Sequence, residues 1–132
     1  MKGPKFLIAA LLLIFFAGCN NTPPINVSGT WEGTLTGPGG QLGYRLALVD
    51  NGGTLTGNAY MYDATYDIWR HTGPAVGKRN NTQANITNAF IDGSGKLEIS
   101  GRFQGNSFSG TATAYDQYGA YVGTLDIGLI KK

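Results

Sequence analysis

The chain carries one histidine and one cysteine in 132 residues, so chemistry that needs an imidazole or a thiol rests on His71 or Cys19. His71 follows Asp63 by eight residues and Asp67 by four. On a helix these three share a face and could hold a divalent cation. On a strand Asp67 and His71 share parity but stand roughly 13 Å apart, too far for one ion. The flanking sequence is that of a strand, so the cluster reads as solvated polar side chains and no metal site is expected. Neither Gly-x-Ser-x-Gly nor His-Glu-x-x-His occurs. Hydrolytic and redox chemistry are therefore disfavoured, and the chain is not expected to be an enzyme.

Aromatic side chains are the richer signal. They crowd two stretches, Tyr60-Met61-Tyr62-Asp63-Ala64-Thr65-Tyr66-Asp67-Ile68-Trp69 and Tyr115-Asp116-Gln117-Tyr118-Gly119-Ala120-Tyr121. The two share a frame, since Gly57, Ala59, Tyr62 and Asp63 recur as Gly110, Ala112, Tyr115 and Asp116. In a meander of alternating strands, connections following equivalent strands emerge at one end. Tyr and Trp offer large contact area with a polar tip. Tyr62, Tyr66, Trp69, Tyr115 and Tyr118 are accordingly the candidate contacts for a small apolar molecule, a sugar or a peptide. The alternative is that they pack locally on a β-rich surface.

The elements that must position these residues read as strands. Leu42, Tyr44, Leu46 and Leu48 alternate against Arg45, and Leu97, Ile99 and Phe103 alternate against Lys96, Glu98 and Arg102. Tyr121, Leu125, Ile127 and Leu129 do the same at the end of the chain. No long stretch has helical periodicity, and Gly-rich turn signals recur at short intervals. Strands are expected near 28–36, 41–49, 54–62, 65–76, 83–91, 96–103, 107–115 and 120–130. Pro74 weakens the fourth, which could be an edge strand or partly loop. Gly33, Gly57, Gly101, Gly110 and Gly123 fall on the inward parity, where a missing side chain lets a sheet bend. The expected fold is all-β, an antiparallel up-and-down meander of about eight strands closed into a barrel, with a β-sandwich as the alternative. Closure is preferred because it removes exposed sheet edges. Whether the interior is hollow or filled stays open.

The first residues form a separate unit. Lys2 and Lys5 precede an apolar run from Phe6 to Ala17, which is shorter than the roughly 20 residues of a membrane-spanning helix. This is the layout of a cleaved export signal. Phe16-Ala17-Gly18-Cys19 resembles the lipobox of bacterial lipoproteins, which implies cleavage after Gly18 and a diacylglycerol on the Cys19 thiol. That acyl lipid is the only attached group expected, with no separate cofactor. Acylation also accounts for an unpaired cysteine in an exported chain. Domains follow as a signal peptide at 1–18, a lipidated N-terminus and Pro-rich tether at 19–26, and a barrel at 27–132. Loss of Lys2 and Lys5 leaves eight Lys/Arg against eight Asp/Glu, so the chain offers no electrostatic reason to bind nucleic acid.

Gly29-Thr30-Trp31 resembles the Gly-x-Trp signature that opens lipocalin and avidin-like barrels, which implies that Trp31 packs across the barrel floor. The overall layout is also similar to small lipoprotein inhibitors of bacterial metalloproteases. Two functions follow as expectations for an envelope protein held to the lipid bilayer by its anchor. One is binding of a small apolar or aromatic ligand at the rim; the other is interaction with an envelope protein such as a protease. Asn20, not Asp, follows Cys19, which leans the location toward the outer membrane of a Gram-negative cell. The tether end would face that membrane, with Lys78, Arg79, Lys131 and Lys132 near anionic headgroups.

Overall fold

The computed structural model describes residues 25–132; the expected signal peptide, Cys19 and the first part of the tether lie outside them. Eight strands follow one another: β1 (Gly29–Gly37), β2 (Gly40–Asn51), β3 (Thr54–Asp63), β4 (Ile68–Asn80), β5 (Gln83–Ala89), β6 (Gly95–Gln104), β7 (Ser107–Asp116) and β8 (Tyr121–Lys131). Each pairs antiparallel with the next, and β8 closes on β1 from Trp31↔Lys131 to Thr36↔Asp126. The fold is thus the closed up-and-down barrel, not the sandwich.

The alternation along each strand decides which side chains fill it. Trp31 packs edge-on against Phe103 at 4.9 Å between ring centroids, and Phe103 lies 4.6 Å from Phe108. The indole N–H of Trp31 donates to Val27 O at 2.9 Å. Leu46, Leu48, Leu55, Ile86, Ile99, Ile127 and Leu129 complete the core around them. Near its upper limit Asn88 is fully buried, accepting from Tyr44 Oη at 2.8 Å and from Thr72 Oγ1 at 3.0 Å, while its amide donates to Pro74 O at 3.1 Å. These bonds satisfy groups that burial would otherwise penalise. The Tyr44 phenol is driven to ionise far less readily by that burial.

Two irregularities shape the upper end. β4 starts later and runs further than expected, through Pro74 to Asn80; a side chain at Gly77 would strike Asn85 O at 2.1 Å, so glycine there lets β4 and β5 close up. Register shifts between Ala59 and Tyr60 against β4, and between Ala114 and Tyr115 against β8, leave Thr72 and Val122 as bulge residues. Pro74 sits beside the first bulge, at the point where pairing with β5 begins, a place that tolerates a missing N–H.

Candidate binding site at the barrel mouth

The chain enters the barrel at the same end as the β2–β3, β4–β5 and β6–β7 turns, and the opposite end is a mouth ringed by the other four connections. Pairing around that mouth is incomplete. β4 has no partner in β5 above Ala75↔Asn88, and β8 has none in β1 above Thr36↔Asp126. β3 and β4 keep pairing up to Asp63↔Ile68, beyond the Tyr44↔Met61 limit of β2–β3. The rim is therefore notched where neighbouring strands stop pairing, with hairpin ribbons rising between the notches.

The first notch holds a cleft of about 460 Å³. Met61 and Phe90, both packed against the core, line it together with Thr72 and Ile91; Arg70, His71, Asp92 and Ser94 supply the polar margin. The 90–94 connection is held there because Ile91 N–H donates to Thr72 O at 2.8 Å and Phe90 N–H to Gly95 O at 2.9 Å. Asp92 Oδ1 accepts from Ser94 N–H at 2.9 Å, and Ser94 holds the Asp92 carboxyl below the usual carboxylate range. Across the mouth, Gly123 pairs with Ala114 next to Leu125, and nothing lies within 4 Å of where its side chain would begin. Leu42, 38 % exposed, shares the inward parity of Tyr44 and Leu46 on β2, and the cleft between Met61 and Phe90 is the apolar cup above the filled core.

The five aromatic residues chosen from sequence are not brought together. Tyr62 pairs with Trp69 on the outer wall, opposite in parity to the buried Leu55 and Ala59, with ring centroids 5.4 Å apart. The Arg45 guanidinium lies 4.3 Å from the Trp69 ring and 3.2 Å from Glu32. Tyr66 stands 68 % exposed on the ribbon, 5.3 Å from Arg70. Tyr115 packs on Tyr121 at 6.5 Å on the outer wall of β7–β8, and Tyr118 is 85 % exposed at the turn beyond. Because β5 and β6 separate β4 from β7, the two groups occupy opposite walls. Period-two parity already implied this, since Tyr62 opposes the Leu55–Gly57–Ala59 face. The same parity points Met61 inward, and it was the signal available for the cup.

The polar cluster is engaged elsewhere. Arg70 Nε donates to Asp63 at 2.6 Å and holds that carboxyl below its ordinary range. Tyr62 Oη donates to Asp67, which makes the phenol harder to ionise. His71 Nε2 lies 2.8 Å from Asn58 Oδ1. Among the described residues, no three His, Cys, Asp or Glu side chains converge as metal ligands.

Comparison with known proteins adds no family: no family model matches this chain, and no curated protein matches it.

Proposed function

We propose that this chain is a lipid-anchored envelope protein, held through Cys19, that works by binding and not by catalysis, and that its barrel takes a small apolar or aromatic ligand at the mouth. The observation that carries the reading is the cup above a filled interior: Met61, Phe90, Thr72 and Ile91 around about 460 Å³, over the Tyr44–Asn88–Thr72 network. A concave, mostly apolar hollow with a few polar groups at its margin is the usual form of a small-molecule site. The outer-wall aromatics Tyr62 and Trp69 then shape the ribbon beside it, and do not themselves line the cup.

Titration with anilinonaphthalene sulfonate as an aromatic probe tests this. Saturable emission is expected, weakened about tenfold by Met61→Asp and by Ile91→Asp, both of which put a charge on the cleft wall. Equal binding by both variants and the unsubstituted chain would overturn the reading. The anchor is tested separately by mass spectrometry of membrane-extracted protein, where an unmodified Met1 terminus would remove it.

One observation favours recognition of a macromolecule such as an envelope protease. Tyr66, Ile91, Tyr118, Tyr121 and Val122 are each more than half exposed at this one end, an apolar display typical of interaction sites. Under that reading a Tyr66→Ala, Tyr118→Ala pair loses the partner in a pull-down from intact envelope, while probe binding in the cup persists.

A further inference from the structure

We infer that the end of the barrel opposite the mouth is a docking face for an anionic phospholipid bilayer. The described residues carry eight cations and eight acids, unevenly placed along the barrel axis: Arg70 and Lys96 stand at the mouth, each paired with an acid, but most acids lie toward the mouth and five cations at the tether end. Asp63, Asp67, Asp92 and Asp116 stand in or beside the mouth connections, Glu98 lies in the mouth half of β6, and Asp126, at the middle of β8, pairs with Thr36 near the mouth end of β1. Lys78, Arg79, Arg102, Lys131 and Lys132 lie at the tether end. Only Asp50 and Glu32 are acids of the tether half, and each is neutralised, by Arg79 at 2.9 Å and by Arg45 at 3.2 Å. Lys78, Arg102, Lys131 and Lys132 are left, among the described residues, without an acidic partner.

Turn chemistry does not explain this sorting. Asp and Asn cap turns by the same side-chain oxygen and are interchangeable in that role. At the mouth the capping residue is Asp: Asp63 accepts from Thr65 N–H, Asp92 from Ser94 N–H and Asp116 from Tyr118 and Ala120 N–H. At the tether end the corresponding turns carry Asn51, Asn80, Asn81 and Asn106. The one capping acid there, Asp50, which accepts from Gly53 N–H, is the one paired with Arg79. The tether-end turns thus carry neutral Asn where the mouth turns carry charged Asp.

A bilayer fits this face better than another polyanion because of where the chain enters it. Ile25 and Val27 pack against the barrel at this end, and Cys19 precedes Ile25 by six residues, a reach of at most about 20 Å. The inference rests on the anchored reading for what brings the bilayer close, while the charge pattern stands on its own. Lys131 is suited to a headgroup, its amine 5.9 Å from the Trp31 ring beside a hollow of about 270 Å³ lined also by Phe103 and Asn106. Basic residues at such a surface attract anionic headgroups within a Debye length.

Residues 25–132 suit the test, because every strand in them pairs on both sides around one core. Their sedimentation with vesicles of phosphatidylglycerol at low salt is expected, with release near 1 M salt, where the Debye length is about 3 Å, and no binding to phosphatidylcholine. Lys78→Glu with Lys132→Glu should weaken partitioning at least about tenfold, and Lys96→Glu at the mouth less than about twofold. Circular dichroism checks that each variant is folded. Equal binding to phosphatidylcholine, no binding to either lipid, or an equal loss from Lys96→Glu overturns the docking face. Displacement from vesicles by duplex DNA at matched charge overturns the assignment to a membrane. An acylated Cys19 without vesicle binding leaves the anchor and removes the face; vesicle binding with an intact Met1 terminus does the reverse.

Discussion

Asp50 gathers Val27 N–H, Gly53 N–H and Arg79 Nε, each at 2.9 Å, and Arg79 adds Ile25 O and Asn81 O as acceptors. Burial alone would raise the Asp50 pKa, but Arg79 and the two backbone donors outweigh it and the net shift is downward. A depressed carboxyl stabilises the fold fully above its unfolded value near 3.9 and loses that contribution as pH falls through the lower folded value. The melting temperature should therefore drop as pH is lowered below about 5, and Asp50→Asn should flatten that acid limb. At neutral pH the same substitution should cost about 3 kcal/mol in urea unfolding, since Arg79 keeps its charge with only 10 % of its side chain exposed. Sequence parity showed Arg79 only as one of several basic residues near headgroups. Its true partner lies 29 positions away and becomes a neighbour only when β2, β3 and β4 are laid side by side.

At the scale of strands, the glycines on the inward parity are of two kinds that composition cannot separate. A side chain at Gly110 would meet Ser100 O at 2.0 Å and the Gly101 Cα at 2.5 Å, so β6 and β7 approach closely only because it is absent. Gly110→Ala should cost about 3 kcal/mol, measured by urea denaturation, as neither backbone contact can give way cheaply. Gly123→Ala meets nothing within 4 Å and should change stability by less than about 0.5 kcal/mol. The strands themselves were legible from alternation and turn residues. The bulges at Thr72 and Val122 were not, because one extra residue reverses parity without any change in residue type. Tyr121, expected inward with Leu125, is 63 % exposed for this reason. The notches, and with them the cup, were hidden by the same irregularity.

Two hairpins of the barrel repeat one pairing that the sequence showed only in fragments. Moving the β2–β3 pairing forward by 53 positions in both strands gives the β6–β7 pairing: Leu46↔Ala59 becomes Ile99↔Ala112, and Leu48↔Gly57 becomes Gly101↔Gly110. β3 and β7 also share one burial pattern. Closure was favoured from sequence but not decided there, since sandwich and barrel use the same alternation and only the β1–β8 register distinguishes them. Whether the interior was filled depended on how Trp31, Tyr44 and Phe108 share space with the inward glycines, which no single strand reveals. With one core and no sheet edge, residues 25–132 should unfold in urea as one transition seen alike by fluorescence and circular dichroism. Refolding should take milliseconds to seconds, because the barrel closes only when β8 pairs with β1 from the far end of the chain, the one pairing between strands that are not neighbours in sequence.

The clasp formed by Asp50 and Arg79 also has a mechanical meaning. A pull on the chain ahead of Ile25 reaches the barrel at Val27, whose amide is held by Asp50 of β2, while Ile25 O is held by Arg79 of β4. The load is thus divided among β1, β2 and β4 instead of peeling β1 from its lower end. Under such a pull the first strand stays seated as long as that carboxylate stays charged.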